Sequence, residues 1–251
     1  MDLPNNVRTV LGYVTDFSKE ILKDDLVGIY LFGSLTYDDY NPLRSDLDLM
    51  VVIKERPDED TIGLISNKYM DLAIKFPDFN GRVECSFTPI YMLNQLEPPA
   101  EGRVYFGEQF YANANYGNEW IINNYLIREY GLTIMGLDFK TLTPEINMSQ
   151  VQHACLEDLQ KEWLPKANDD SYLSNPHYKS YLILNLCRII YTLKRSKAGS
   201  KTEAGNWVIA TYPEFQDLVE EALAWTYGAS MDRRDEIKSF IELIAREAGL
   251  N

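Results

Sequence analysis

Two short apolar runs set the frame for this chain. Leu26–Phe32 is rich in β-forming residues and closes on Gly33-Ser34; eleven residues then separate it from Asp46-Leu47-Asp48, which opens a second run through Ile53. Neither run is long enough for an amphipathic helix, and each reads as a buried strand, the first ending in a turn. Strand side chains alternate with period two. Asp46 and Asp48 therefore project from one face, while Leu47, Leu49, Val51 and Ile53 project from the other into a core. Two carboxylates side by side repel, and they stay ionised together only with a cation between them. Hard oxygen donors in a small protein set suit magnesium that is also held by nucleotide phosphates.

The neighbouring residues fit the same chemistry. Gly33 lets a phosphate approach the backbone, and Ser34 offers an N–H and a hydroxyl to it. A third strand is predicted over 83–90, and there Glu84 shares a face with Ser86 and Thr88. A carboxylate beside a metal-binding pair is a natural general base for an attacking hydroxyl. Each signal alone has a plainer reading. Gly-Ser is commonly a turn, Asp-x-Asp on a strand is commonly solvated, and Glu84 alone reads as a surface residue. It is their order, with strands between, that points to catalysis.

Helical periodicity places helices at about 5–22, from Pro57 to Phe76, at 119–130, and then at 149–163, 178–197, 201–211, 213–227 and 232–248. Residues 94–118, rich in Pro, Gly, Asn and aromatics, read as a long connector. Pro144 and weak periodicity over 138–147 mark a boundary. The expected class is α+β: a mixed α/β domain over residues 1–143, and an α-helical bundle over 144–251. The net charge of −14 argues against a nucleic-acid partner and weakly favours cationic small molecules. Cys85, Cys155 and Cys187 are widely spaced and odd in number, which reads as reduced thiols in the cytoplasm. The early charges Asp2, Arg8 and Asp16 argue against a signal peptide, and no apolar run approaches membrane-spanning length, so no membrane partner is expected.

The segment Leu31-Phe32-Gly33-Ser34 … Ser45-Asp46-Leu47-Asp48-Leu49-Met50-Val51-Val52 resembles the signature of the polymerase-β-type nucleotidyltransferase superfamily. The resemblance implies that residues 1–143 are a catalytic domain with a mixed sheet and flanking helices. It also implies two magnesium ions and in-line attack on the α-phosphate of ATP, with pyrophosphate leaving. Asp46, Asp48 and Glu84 would ligate metal, with Glu84 also the base, and Gly33, Ser34 and Ser45 would hold nucleotide. Further on, 184–193 (LNLCRIIYTL), Ser200-Lys201 and Trp207 are similar to the helical domain of streptomycin/spectinomycin adenylyltransferases. Carried over by position, Arg188 and Lys201 would bind ATP phosphates and Tyr227 would lie near the adenine. The implied enzyme adenylylates a hydroxyl of a cationic aminoglycoside or aminocyclitol, and a monomer is expected.

The plainer readings stay beside these. Arg188 could pair with a buried carboxylate, and Lys201 could be solvated in a turn. Tyr105, Phe106, Phe110, Tyr111, Tyr116 and Trp120 could cradle an aminocyclitol or simply pack together. The acceptor could be a metabolite or protein side chain, or the chain could be a nucleotide-binding regulator without turnover. The sequence departs from the family at two acceptor positions: Gln109 follows Gly107-Glu108 where the family has Trp, and Tyr178 aligns with a family Asp. Both departures point away from streptomycin.

Overall fold

The computed structural model describes residues 3–250. It divides the chain into two compact units, one of residues 1–40 and 45–145, the other of 41–44 and 146–251.

The first unit begins with α1 (Asn5–Leu22), whose Val7, Val10, Leu11, Val14 and Phe17 form one buried stripe. β1 (Leu26–Phe32) and β2 (Leu47–Ile53) follow. α2 (Glu59–Lys75) starts where the Asp58 carboxylate caps the Thr61 N–H, with Glu59 and Asp60 in the first turn, where the helix dipole favours acids. β3 (Val83–Pro89), β4 (Arg103–Phe106), β5 (Phe110–Ala114), α3 (Glu119–Tyr130) and β6 (Leu132–Gly136) complete the unit. The strands form one mixed sheet in the order β5-β4-β3-β2-β1-β6. Only β2 and β3 pair in parallel, as expected for strands joined by a helical crossover.

Three sequence expectations change here. Residues 94–118 are not a loop: they supply the β4–β5 hairpin that extends the sheet, with Phe106 buried against the core. Irregular aromatic and glycine spacing concealed a short edge hairpin. β6 carried no sequence signal at all, since its residues are mostly half-exposed and its pairing with β1 is long-range. β2 begins at Leu47, so Asp46 stands just outside the strand.

The core lies on the α1/α2 side of the sheet. Leu47, Leu49, Val51, Ile53, Val83, Cys85 and Phe87 pack there with Val7, Val10, Val14, Phe17, Ile65 and Leu72. That side takes the odd-numbered residues of β2, which leaves the even-numbered ones, Asp48 among them, on the opposite face.

The second unit is helical: α4 (Met148–Asp158), α5 (Pro176–Arg195), α6 (Lys201–Thr211), α7 (Gln216–Ala224) and α8 (Arg234–Glu247). α4 opens with a capping box between Asn147 and Gln150, and it ends in a π-helical turn at 159–163. α5 is central, touching α4, α6, α7 and α8, and it buries Leu182, Ile183, Leu186, Cys187, Ile189 and Ile190. Residues 41–44 belong here because the Arg44 guanidinium donates to the Ala222 carbonyl (3.0 Å). All three cysteines are free and buried. Desolvation pushes each thiol up, Cys155 to about 12, so none is a ready nucleophile.

Candidate active site

The Gly33-Ser34 turn sits at the C-terminal end of β1. Phe32 pairs with Asp48 across the β1–β2 ladder, so Gly33 leaves the sheet beside the Asp48 side chain. Its φ is +73°, and a Cβ there would overlap the Asp48 carboxylate, whose Cγ lies only 2.7 Å from that point. Glycine is required twice over, by the backbone angle and by the space. Ser34 Oγ is buried and has no hydrogen-bond partner among the described residues, as suits a group that meets a ligand oxygen.

Asp48 and Glu84 are register partners on the parallel strands β2 and β3. Side chains at paired positions share a face and stand about one strand spacing apart. The register thus brings Asp48 and Glu84 together. Asp46 lies one residue ahead of β2, and its Oδ1 is 3.8 Å from the Arg82 Nε. The Arg82 guanidinium also donates to the Ser45 carbonyl and, through Nη1, to the Asp78 carbonyl (3.2 Å). Among the described residues no three His, Cys, Asp or Glu side chains are gathered into a set that could hold an ion unaided. Magnesium does not require one, because it is commonly held by one or two carboxylates together with substrate phosphates. Asp48 and Glu84, beside a Cβ-free glycine and an unengaged buried hydroxyl, fit that arrangement.

Two neighbours of the carboxylates escaped the sequence reading in these roles. Arg82 supplies positive charge to Asp46; continuing the alternation of Glu84, Ser86 and Thr88 one step backward would have found it. Tyr105 Oη and the Glu84 side chain flank the Cβ-free space at Gly107. Burial pushes the Tyr105 phenol well above the usual range, and the charges of Glu84 and Asp48 push the same way against the opposing Arg103. Its role was hidden because the segment was taken for a connector.

In the helical unit, the Arg188 Nε donates to the Gly199 carbonyl (3.3 Å), so its partner is a carbonyl and not a buried carboxylate. Arg188 thereby reaches the turn that starts α6, where the Ser200 hydroxyl caps the Glu203 N–H (3.1 Å) and Lys201 is the first helical residue. Lys201 Nζ lies 4.7 Å above the Tyr181 ring. Tyr181 contacts His177, which in turn meets Tyr227 at 5.0 Å and stacks on Trp225 at 5.2 Å. Arg188, Lys201 and Tyr227, far apart in sequence, are thus linked by one chain of contacts. Tyr227 remains 45% exposed. Of the departures from the family, Gln109 lies in the β4–β5 turn, its carbonyl accepting from the Gly107 N–H (3.0 Å), and Tyr178 stacks on Tyr172 (4.9 Å).

A mixed sheet with a glycine-serine turn at one strand end, and paired carboxylates on the next two strands, defines a nucleotidyltransferase. Accordingly, residues 14–98 match the nucleotidyltransferase domain family and residues 141–248 match the C-terminal domain of aminoglycoside adenylyltransferases. This chain is a nucleotidyltransferase of the kind that resembles the aminoglycoside adenylyltransferases. It is 26% identical to a spectinomycin 9-adenylyltransferase of Enterococcus faecalis, covering 92% of this chain and 91% of that one. To a spectinomycin 9-adenylyltransferase of Campylobacter jejuni it is 24% identical, covering 94% and 90%. The crystal structure of an Enterococcus faecalis spectinomycin adenyltransferase with ATP and spectinomycin shares the fold, at a TM-score of 0.78 and 23% identity over 96% of this chain and 99% of that one.

Proposed function

We propose that this chain transfers AMP from ATP to a hydroxyl of spectinomycin or a closely related aminocyclitol. The observation that carries the reading is the register pairing of Asp48 with Glu84 beside the Gly33-Ser34 turn. Support for the acceptor comes from the relatives, which match over nearly their whole length and are spectinomycin enzymes.

In this reading Gly33, Ser34 and Ser45 receive the triphosphate on the sheet side. Arg188 and Lys201 neutralise phosphate charge, and Tyr227 offers its ring to the adenine. Asp48 and Glu84, joined by Asp46, would hold magnesium, two ions in the full arrangement, which neutralises charge on the transferring phosphorus when bound. The Glu84 carboxylate takes the proton from the acceptor hydroxyl. That oxygen bonds to the α-phosphorus in line, the bond to the β-phosphate oxygen breaks, and pyrophosphate leaves with the electron pair. The protein's share is placement and charge, as in phosphoryl transfer generally.

Streptomycin is a poor acceptor in this proposal. Tyr178, stacked on Tyr172, stands where the family keeps a carboxylate, and a buried guanidinium left without its partner costs about 3–5 kcal/mol. The enzyme is proposed to work as a monomer in the cytoplasm, where ATP is available. Pyrophosphate release measured with spectinomycin, streptomycin, a lincosamide and no acceptor tests the proposal. Release with spectinomycin alone is expected. Equal release with streptomycin would refute the exclusion, and ATP binding without release on any drug would move the acceptor to a metabolite or protein.

A further inference from the structure

Tyr105 of β4 and Gly107, just after that strand, lie next to the base assigned above. In the antiparallel β3–β4 ladder Tyr105 lies opposite Ser86 and Phe106 opposite Cys85. Continuing that register sets Gly107 across from Glu84. A Cβ on Gly107 would lie 2.8 Å from Tyr105 Oη and 3.5 Å from Glu84 Cγ, so the space a side chain would fill is where the phenol reaches Glu84. After burial, that carboxylate is the strongest influence on the phenol. An ionised carboxylate only accepts, so in a hydrogen bond between the two the phenol is the donor.

The ring is held from behind. The Arg103 guanidinium lies 5.2 Å from the Tyr105 ring and 4.4 Å from the Tyr116 ring, and its Nη2 is 3.5 Å from Glu119. Tyr116 Oη in turn donates to Thr88 Oγ1 (3.2 Å) on β3. A phenol fixed in this way can hold a carboxylate in one orientation, which a mobile water cannot.

From this arrangement we infer that Tyr105 is a positioning residue for Glu84. It donates to one carboxylate oxygen and leaves the remaining lone pairs directed at the acceptor hydroxyl. The inference rests on the reading of Glu84 as proton acceptor. It adds that the β4–β5 hairpin orients the base, and that Gly107 is small to let it do so. Near-attack geometry is where such orientation is felt, because small misplacements of a reacting group cost large factors in rate.

The test is Tyr105→Phe in the full chain, which keeps the ring and removes the donor. Loss of one charge-assisted hydrogen bond is expected to lower kcat about ten- to a hundredfold. KM values for ATP and spectinomycin, ATP affinity by calorimetry, and the melting temperature should stay at wild-type levels, since the hydrogen bond acts on proton transfer and not on binding. Gly107→Ala, whose Cβ displaces the phenol, should give the same split of kcat from KM. Wild-type kcat in both variants, with transfer abolished in Glu84→Gln, would overturn the role of Tyr105 and leave that of Glu84 standing. A fall in kcat accompanied by equal loss of ATP binding or of folding would overturn it as well, making Tyr105 merely structural. Full activity in Glu84→Gln would overturn the base itself.

Discussion

Replacing Gly33 by alanine tests the geometry of the catalytic turn at its tightest point. Gly33 has a φ of +73°, a conformation that costs an L-residue about 1–3 kcal/mol. At roughly 2–4 °C per kcal/mol for a protein of this size, the melting temperature should fall by about 2–12 °C. The added Cβ would also lie 2.7 Å from Asp48 Cγ and overlap the carboxylate, so Asp48 must retreat by at least about 1 Å to reach ordinary contact. Misplacing a catalytic group by that much can cost about a hundredfold in rate, or close to 3 kcal/mol of barrier. The assay pairs a thermal melt with single-turnover adenylyl transfer. The control is Gly12→Ala, in α1, where a new Cβ meets nothing within 4 Å and φ is unremarkable. That change should stabilise by about 0.5–1 kcal/mol and leave the rate alone. If Gly33→Ala melts and turns over like Gly12→Ala, the turn is not packed on Asp48 as described.

Three further outcomes are expected. Asp48→Asn should abolish transfer and the magnesium dependence of ATP binding while leaving the melting temperature near wild type, because its neighbours Leu47 and Leu49, not Asp48, face the core; calorimetry with magnesium or EDTA, beside a thermal melt, checks this. Lys201→Ala should weaken ATP about ten- to a hundredfold and the acceptor little, as a lysine acts on phosphate as a point charge, and separate titrations of the two ligands decide it. Hydrogen bonds from Lys197 (2.7 Å) and Tyr191 (2.8 Å) hold the Glu203 carboxyl below its usual value. Its stabilising contribution is therefore present above the ordinary carboxylate range and lost as pH falls through the lowered value. The melting-temperature gap between wild type and Glu203→Gln should narrow as pH falls below the ordinary carboxylate range and close below the lowered value, and a constant gap would refute the assignment.

Much of this molecule is written in local pattern. Alternation over 47–53 placed Leu47, Leu49, Val51 and Ile53 in the core, and the structure packs them there against α1 and α2. The stripe at Val7, Val10, Val14 and Phe17, and the capping residues Asp58 and Ser200, set helix positions by contacts within a few residues. Short-range signals of this kind survive without knowledge of the fold, because the interaction and the residues that make it lie together in the chain. The Gly33-Ser34 … Asp46-Leu47-Asp48 spacing belongs to the same class, which is why the chemistry of the chain was legible before its architecture.

What only the tertiary structure decided involves partners distant in sequence. No local signal could say that Asp48 faces Glu84, because parallel register is set where two strands meet across a crossover. Nor could one say that Arg82, from another segment, comes within 3.8 Å of Asp46. β6 became a strand only because β1 offered it an edge. Tyr105 became a partner of Glu84 only when the aromatic stretch paired as a hairpin. The sequence by itself offered the groups proposed to carry the chemistry; the fold decided which of them meet, since hydrogen bonds and charge pairs act over a few ångströms of space and are blind to separation along the chain.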